Sequence, residues 1–336
     1  MNTARKTGRI TRADVARLAN VSTASVSYVL NGVPNKVSEE TAQRIRRAAQ
    51  ILDYRPSAFA RALKTGSSQT FGVIVPDFSN PYFASLNDEI ESAAAEQGYS
   101  IIFTTSHGDA KAEHVCINRL QDRNVDVIFT SSALSNEELA ALDQQHCRLV
   151  FLDHTVPTPG VKCVATDFST AVMDMTNHLF SHGHTRIALL YGGDDLTDPR
   201  IQGWQAAHQH AGLPTGTVLR SHFTREGGYQ ATLQLIDDAR ETGASLPTAL
   251  FAASDLEAIG ALRALHERHM RVPEDITLVS FDGSSETLYS NPQLTTLQQN
   301  THAIAKLAVE AAIAPDAVPD VSLVKAALVI RHSCGC

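Results

Sequence analysis

The 336-residue chain predicts an N-terminal all-α helix-turn-helix headpiece joined to an α/β core built in two lobes from parallel sheets. Three observations carry this. Residues 11–31 interrupt one short amphipathic helix with a turn and start a second. Charge is divided, with twelve Lys/Arg against four Asp/Glu in residues 1–66 and sixteen against thirty-two in the remaining 270. From Thr70 onward apolar runs of strand length alternate with helix-length stretches, which implies parallel sheet covered on both faces.

Residues 1–9 carry Arg5, Lys6 and Arg9 and read as a flexible basic arm. In the first helix Val15, Ala16, Leu18 and Ala19 form the apolar set, and Asn20, a residue that tolerates left-handed backbone, ends it. Ser22 supplies an N-cap for the second helix, whose Val26, Val29 and Leu30 continue one buried face. Thr23, Ala24, Ser27 and Tyr28 lie off that stripe, on the face that a recognition helix turns to a major groove. Gly32-Val33-Pro34-Asn35 connects to a third helix capped by Ser38, with Glu39 and Glu40 in its first turn and Ile45, Ala49 and Leu52 as its apolar stripe. This segment is net +8 whereas the rest is net −16, so only the headpiece attracts phosphates.

Tyr54-Arg55-Pro56 forces extended backbone. Ser57–Lys64 is then a one-to-two-turn helix too short to hold alone, and Thr65-Gly66-Ser67-Ser68 is a linker. The strands expected beyond it are Phe71–Val75, Ser100–Thr104, Val125–Thr130, Leu149–Asp153, Cys163–Thr166, Arg186–Tyr191, Val218–Ser221, Ala249–Ala253, Ile276–Phe281 and Thr295–Gln298. Ten are many for one open sheet, hence two lobes. Helices expected between them include 83–97, 171–181, 203–211, 228–241 and 257–269. His182-Gly183-His184 reads as the end of one of these, with Gly past the C-cap.

Residues 11–64 resemble the headpiece and hinge of the LacI/GalR family of bacterial transcriptional regulators. The motifs that carry the resemblance are Asp14-Val15-Ala16, Val21-Ser22-Thr23, Val26-Ser27, Leu30-Asn31-Gly32 and Pro56-Ser57-Ala58 through Leu63. The resemblance implies a headpiece over 1–56, a hinge helix and linker over 57–68, and a periplasmic-binding-protein-like core over 69–336. Its N-lobe would span about 69–167 and 298–322, and its C-lobe about 168–297 and 323–336. It also implies a homodimer on pseudo-palindromic operator DNA, contacted by Thr23, Ala24, Ser27, Tyr28, Asn31, Ser57 and Leu63, with Leu63 wedged into the minor groove. An effector would bind between the lobes.

Strand-end residues suit a hydroxyl-rich ligand such as a sugar, because carboxylates and a guanidinium grip vicinal hydroxyls while aromatic faces cover the ring. The candidates are Asp77, Asn80, Tyr82, Phe83, Arg200, Phe223, Ser254 and Asp282. Arg200, three residues before Gly203, and Asp282, after its strand, match effector positions of the family. Ser254 departs from the Asn found in many sugar-binding members. A nucleoside, a phosphorylated sugar or a co-repressor stays open as the effector.

Other chemistry is sparse. No Walker loop, Gly-x-Ser-x-Gly elbow or His-Glu-x-x-His occurs, so no catalytic residue and no cofactor is expected. A sugar-modifying enzyme would have only Asp77 and Asp282 as an acid–base pair. A solute-binding transport protein would explain the core alone and leave the basic module unexplained. Without an apolar h-region or an eighteen-residue apolar run, the expectation is a cytoplasmic protein with no membrane partner. Five cysteines make no disulfide framework. His332, Cys334 and Cys336 are three soft ligands where structural zinc wants four, so the expectation is a frayed tail without metal.

Overall fold

The computed structural model describes residues 10–55, 62, 66–134, 138 and 147–336. The basic arm 1–9, Ser57 and Leu63 lie outside the described residues, as does most of the expected hinge helix. The chain forms two compact units, Met1–Ser68 and Gln69–Cys336.

In the first unit, α1 (Arg12–Ala19), α2 (Thr23–Leu30) and α3 (Glu39–Ile51) pack around Val15, Ala16, Ala19, Val26, Ile45, Ala48 and Ala49. Local chemistry sets each boundary. The Thr11 amide and hydroxyl both donate to Asp14 at 2.9 and 2.6 Å, which starts α1. Asn20 ends it at φ 54°, the left-handed turn that Asn tolerates. Ser22 and Ser38 accept from the Ser25 and Thr41 amides and so cap α2 and α3. Leu18 does not join the core: at 50% exposure it lies on the outer face, because Val15, Ala16 and Ala19 already fill the stripe α1 turns inward.

The second unit contains two six-stranded sheets. The strands are β1 (Thr70–Val75), β2 (Ser100–Thr105), β3 (Val127–Thr130), β4 (Arg148–Phe151), β5 (Lys162–Thr166), β6 (Ile187–Tyr191), β7 (Val218–Arg220), β8 (Ala249–Ala252), β9 (Thr277–Asp282), β10 (Thr295–Gln298), β11 (Val321–Val324) and β12 (Ala327–Val329). The described helices are α4 (Pro81–Glu96), α5 (Ala110–Asp122), α6 (Phe168–Ser181), α7 (Pro199–His210), α8 (Arg225–Thr242), α9 (Asp255–Glu267), α10 (Glu286–Tyr289) and α11 (Thr301–Ile313). One sheet runs β11-β5-β4-β3-β1-β2 and is parallel; the other runs β12-β10-β9-β8-β6-β7, with only the edge strand β12 antiparallel. Both sheets reverse strand order next to their first strand, the place where open α/β sheets leave a crevice for ligands.

Burial follows the strand period. Phe71, Val73 and Val75 face one apolar layer while Ile74 faces the other, and Phe251 and Leu250 divide likewise in the second sheet. The chain passes between sheets after β5, after β10 and between β11 and β12, so each lobe draws on separated segments. The last passage falls after Val324, slightly beyond the expected boundary at 322–323.

The C-terminus corrects one expectation. It is not frayed: Ser333 and Cys334 are 0% and 3% exposed, and the Ser333 hydroxyl donates to the Leu278 carbonyl at 2.5 Å while accepting from the Thr295 amide at 2.9 Å. Bridging β9 and β10 supplies buried polar partners that tail composition does not reveal.

Candidate functional site

Two surfaces carry chemistry. On the headpiece, Val26 is fully buried and the opposite side of α2 presents Thr23, Ala24 and Tyr28 to solvent, with Tyr28 at 38% exposure. Ser27 is half-buried and its hydroxyl accepts from the exposed Asn31 carboxamide at 3.1 Å. That pair braces the C-terminal turn of α2. Arg12, Arg17, Lys36, Arg44, Arg46, Arg47 and Arg55 are exposed on this unit, and Arg17 and Arg46 are paired to Asp14 and Glu39 at 3.0 Å. Exposed pairs of this kind contribute little and open readily to a phosphate.

In the core, a cavity of about 280 Å³ lies among strand ends of both sheets. All eight residues expected at an effector site line it: Asp77, Asn80, Tyr82, Phe83, Arg200, Phe223, Ser254 and Asp282. Local structure fixes several of them. Asp77 accepts from the Ser79 amide and hydroxyl at 2.7 and 2.8 Å, so it is a turn residue as well as a wall. Asn80 caps α4 by accepting from the Tyr82 amide, with Pro81 at the first helical position. Ser254 caps α9, and its hydroxyl donates to Glu257 Oε2 at 2.9 Å. Its polar atom is therefore directed inward to a carboxyl rather than left free at the wall.

Arg200 is the hub. Asp198 caps α7 by accepting from the Arg200 amide at 2.7 Å, and its other oxygen takes Nη1 at 2.9 Å. The guanidinium carbon lies 4.0 Å above the Phe168 ring centroid and 5.6 Å from those of Phe223 and Phe281. Gly203 allows this approach, because a Cβ there would lie 2.2 Å from the Ser169 carbonyl oxygen, one residue beyond Phe168. Arg200 Nε is buried without a partner, a donor that a ligand hydroxyl would satisfy.

Asp282 sits at φ 113°, a strained conformation for a residue with a Cβ, and such strain collects at functional sites. Burial and the neighbouring Asp255 push its carboxyl well above the usual range, while Arg200 and Gln299 pull it down. Asp255 is raised by burial although Ser280, Ser284 and Thr296 donate to it. Glu257, fully buried, is raised by the same desolvation. At Arg200 burial opposes the charge, but Asp198 and Asp282 more than offset it. Burial, with Asp282 and Asp153, lifts the Tyr82 phenol above its ordinary value, so it remains a neutral hydroxyl.

The comparisons match this arrangement. Residues 11–57 fit the model for bacterial regulatory proteins of the lacI family, and residues 176–334 fit a periplasmic binding protein-like domain. The HTH-type transcriptional repressor PurR of Aliivibrio fischeri (strain MJ11) is 31% identical over 305 residues, spanning 88% of this chain and 89% of that protein. The chain belongs to the lacI family. The Ribose operon repressor of Escherichia coli (strain K12) is likewise 31% identical over 310 residues, 90% of this chain and 92% of that one. Among solved structures, the lac repressor dimer bound to operator and the anti-inducer ONPF shares the fold at TM-score 0.86, with 24% identity over 97% of this chain and 99% of that chain.

As a lacI-family member the protein is a DNA-binding transcriptional regulator and not an enzyme. Its described helices include none long and apolar enough to cross a membrane. Sequence reasoning missed four polar or aromatic wall residues of consequence: Asp153, Phe168, Asp198 and Gln299. The strand-end rule that found Asp77 and Asp282 reaches Asp153 after β4 and Gln299 after β10. Phe168 and Asp198 stand at helix starts, where a cap or a core aromatic is the ordinary reading.

Proposed function

We propose that this lacI-family regulator is a cytoplasmic homodimeric repressor whose operator affinity is set by a neutral, polyhydroxylated effector of monosaccharide size held between its lobes. The observation that carries this reading is the convergence of Arg200, Asp282, Asp77 and Asn80 with the rings of Phe168, Phe223, Tyr82 and Phe83 on one cavity. Carboxylates and a guanidinium clamp hydroxyl pairs, and ring faces cover the apolar carbons between them.

Charge and size narrow the class. Asp77, Asp153 and Asp198, beside the proton-holding Asp282, line the cavity against Arg200 as its single cation, which disfavours a phosphorylated ligand. A volume of about 280 Å³ lies just below the usual ~300–1,000 Å³ of small-molecule pockets. The ribose operon repressor among the relatives agrees with a pentose or hexose, and the lac repressor dimer on its operator agrees with two-fold half-site reading.

An effector filling the cavity favours one arrangement of the lobes and shifts DNA affinity by its differential binding to the two states. Induction, loss of operator on binding, is the proposed sign. The test selects an operator from random DNA with the full chain, screens neutral sugars, sugar phosphates and nucleosides by thermal shift, and then measures operator affinity with and without the hit. A neutral sugar that releases wild type but not Asp282→Ala supports the reading; an Asp282→Ala response with the wild-type midpoint places the effector elsewhere.

A further inference from the structure

Outside the cleft, the C-terminal end of α6 and the end of the chain bring four soft ligands together. His178 and His182 stand one turn apart, with ring centroids 4.7 Å apart. Cys336 Sγ lies 3.4 Å from His178 Nε2, 3.3 Å from His182 Nε2 and 2.8 Å from Cys334 Sγ. The ligand atoms of His178, Cys334 and Cys336 all fall within 4.8 Å of one another. His332, one of the three residues the sequence suggests, is exposed and takes no part in this group.

We propose that His178, His182, Cys334 and Cys336 form a four-coordinate site for zinc(II). Two thiolates and two imidazoles are the donor set that selects zinc over magnesium or calcium, which take oxygen. With bonds of about 2.3 Å to sulfur and 2.0–2.1 Å to nitrogen, tetrahedral ligand atoms stand roughly 3.3–3.8 Å apart. The two sulfur–nitrogen separations at Cys336 already match, the sulfurs need open by about 1 Å, and His182, which stands outside the mutually close group of His178, Cys334 and Cys336, must swing its exposed ring inward around an ion. Cys336 is exposed and free to make that movement.

The scaffold holds the ligands by folded structure rather than chance. Gly335 at φ 81° turns the backbone so that the cysteines on either side face the same helix end, a conformation that favours glycine. Ser333 is locked between Leu278 and Thr295, and the Thr295 hydroxyl donates to Cys334 Sγ at 3.1 Å. A hydroxyl donated to a ligand sulfur is the outer-shell support that metal thiolates use. A bound ion would fasten the terminal segment to α6, whose opposite end carries Phe168 beneath Arg200.

The experiment uses the full chain, reduced and stripped of metal with chelator. Titrated cobalt(II) should reach one equivalent with the visible bands of a tetrahedral thiolate site, and zinc(II) should discharge them. Zinc should also protect Cys334 and Cys336 from iodoacetamide in the unmutated protein while leaving the labelling of Cys116, Cys147 and Cys163 unchanged. Cys336→Ser and His182→Gln, both at exposed positions, should weaken zinc binding by more than the roughly 10–100-fold that loss of an outer-shell partner costs. Octahedral or absent cobalt bands, equal labelling with and without zinc, or variants that bind as wild type would each overturn the site.

Discussion

Gln299 Nε2 donates to Asp282 Oδ1 at 2.8 Å, and its Oε1 accepts from the Thr166 hydroxyl at 2.5 Å. Thr166 ends β5 in one sheet and Asp282 ends β9 in the other, so one buried carboxamide ties the two lobes at the cavity wall. Gln299→Ala leaves the buried Thr166 hydroxyl without its acceptor and takes one of two donors from Asp282, which keeps the Asp255 amide at 3.4 Å, and should lower unfolding free energy by about 1–3 kcal/mol. Denaturant titration reads that loss. An effector midpoint that also moves would locate the tie in the switch, whereas unchanged stability and midpoint would remove it from both.

Arg200 combines an ion pair with ring stacking, and the two are separable. Arg200→Lys keeps the charge but loses the planar fork and the cation–π stack over Phe168. Stacking of this kind contributes roughly 0.5–2 kcal/mol, so effector affinity should fall by about tenfold with operator affinity in the absence of effector unchanged. Calorimetry of ligand binding beside operator binding checks it. Loss of operator affinity without any ligand would mean that Arg200 maintains the fold rather than the ligand.

The raised carboxyl of Asp282 predicts a sign for pH. Its folded pKa is displaced from 3.8 to about 8, so between those values the folded state holds a proton that the unfolded chain has released. Stability must therefore fall as pH rises through that window, the reverse of a salt-bridged carboxylate. Asp282→Asn should flatten the decline of the thermal midpoint between pH 5 and 8. An identical slope in wild type and variant would show that Asp282 is ionised throughout.

What the sequence reveals here tracks how local the cause is. Asn20, Ser22 and Ser38 act on amides within three residues, and their turn and caps are legible as written. Apolar runs such as Phe71–Val75 and Leu278–Phe281 mark strands buried on both faces. Edge strands β11 and β12 escape notice: Ser322 interrupts the four residues of β11, and the apolar stretch Ala326–Ile330 around β12 has Ala327 exposed and yields a strand of only three residues. The carboxyl-end rule, joined to the family resemblance, collects eight cavity residues, yet it does not reach Phe168 or Asp198 at helix starts. The metal-ligand group is the extreme case: His178 and Cys336 are separated by 158 positions, and only the folded sheet brings them together.

The headpiece prediction separates base reading from charge. Tyr28 is exposed on α2 opposite the buried Val26 and carries no formal charge that would release counterions. Tyr28→Ala should therefore weaken binding to the selected operator while leaving random DNA and the slope of log affinity against log salt unchanged. Thr23→Ala removes one hydroxyl and one methyl, a smaller group than the Tyr28 ring, so its loss should be the smaller, about 0.5–1.5 kcal/mol for the hydrogen bond it gives up. Neither residue has the bidentate geometry with which Arg reads guanine, so discrimination per base should be modest and shared across the face. Fluorescence anisotropy on operator and scrambled duplexes at several salt concentrations measures all three quantities. Equal losses on both duplexes would move the reading face away from Thr23 and Tyr28, since a residue that reads base edges must distinguish the two.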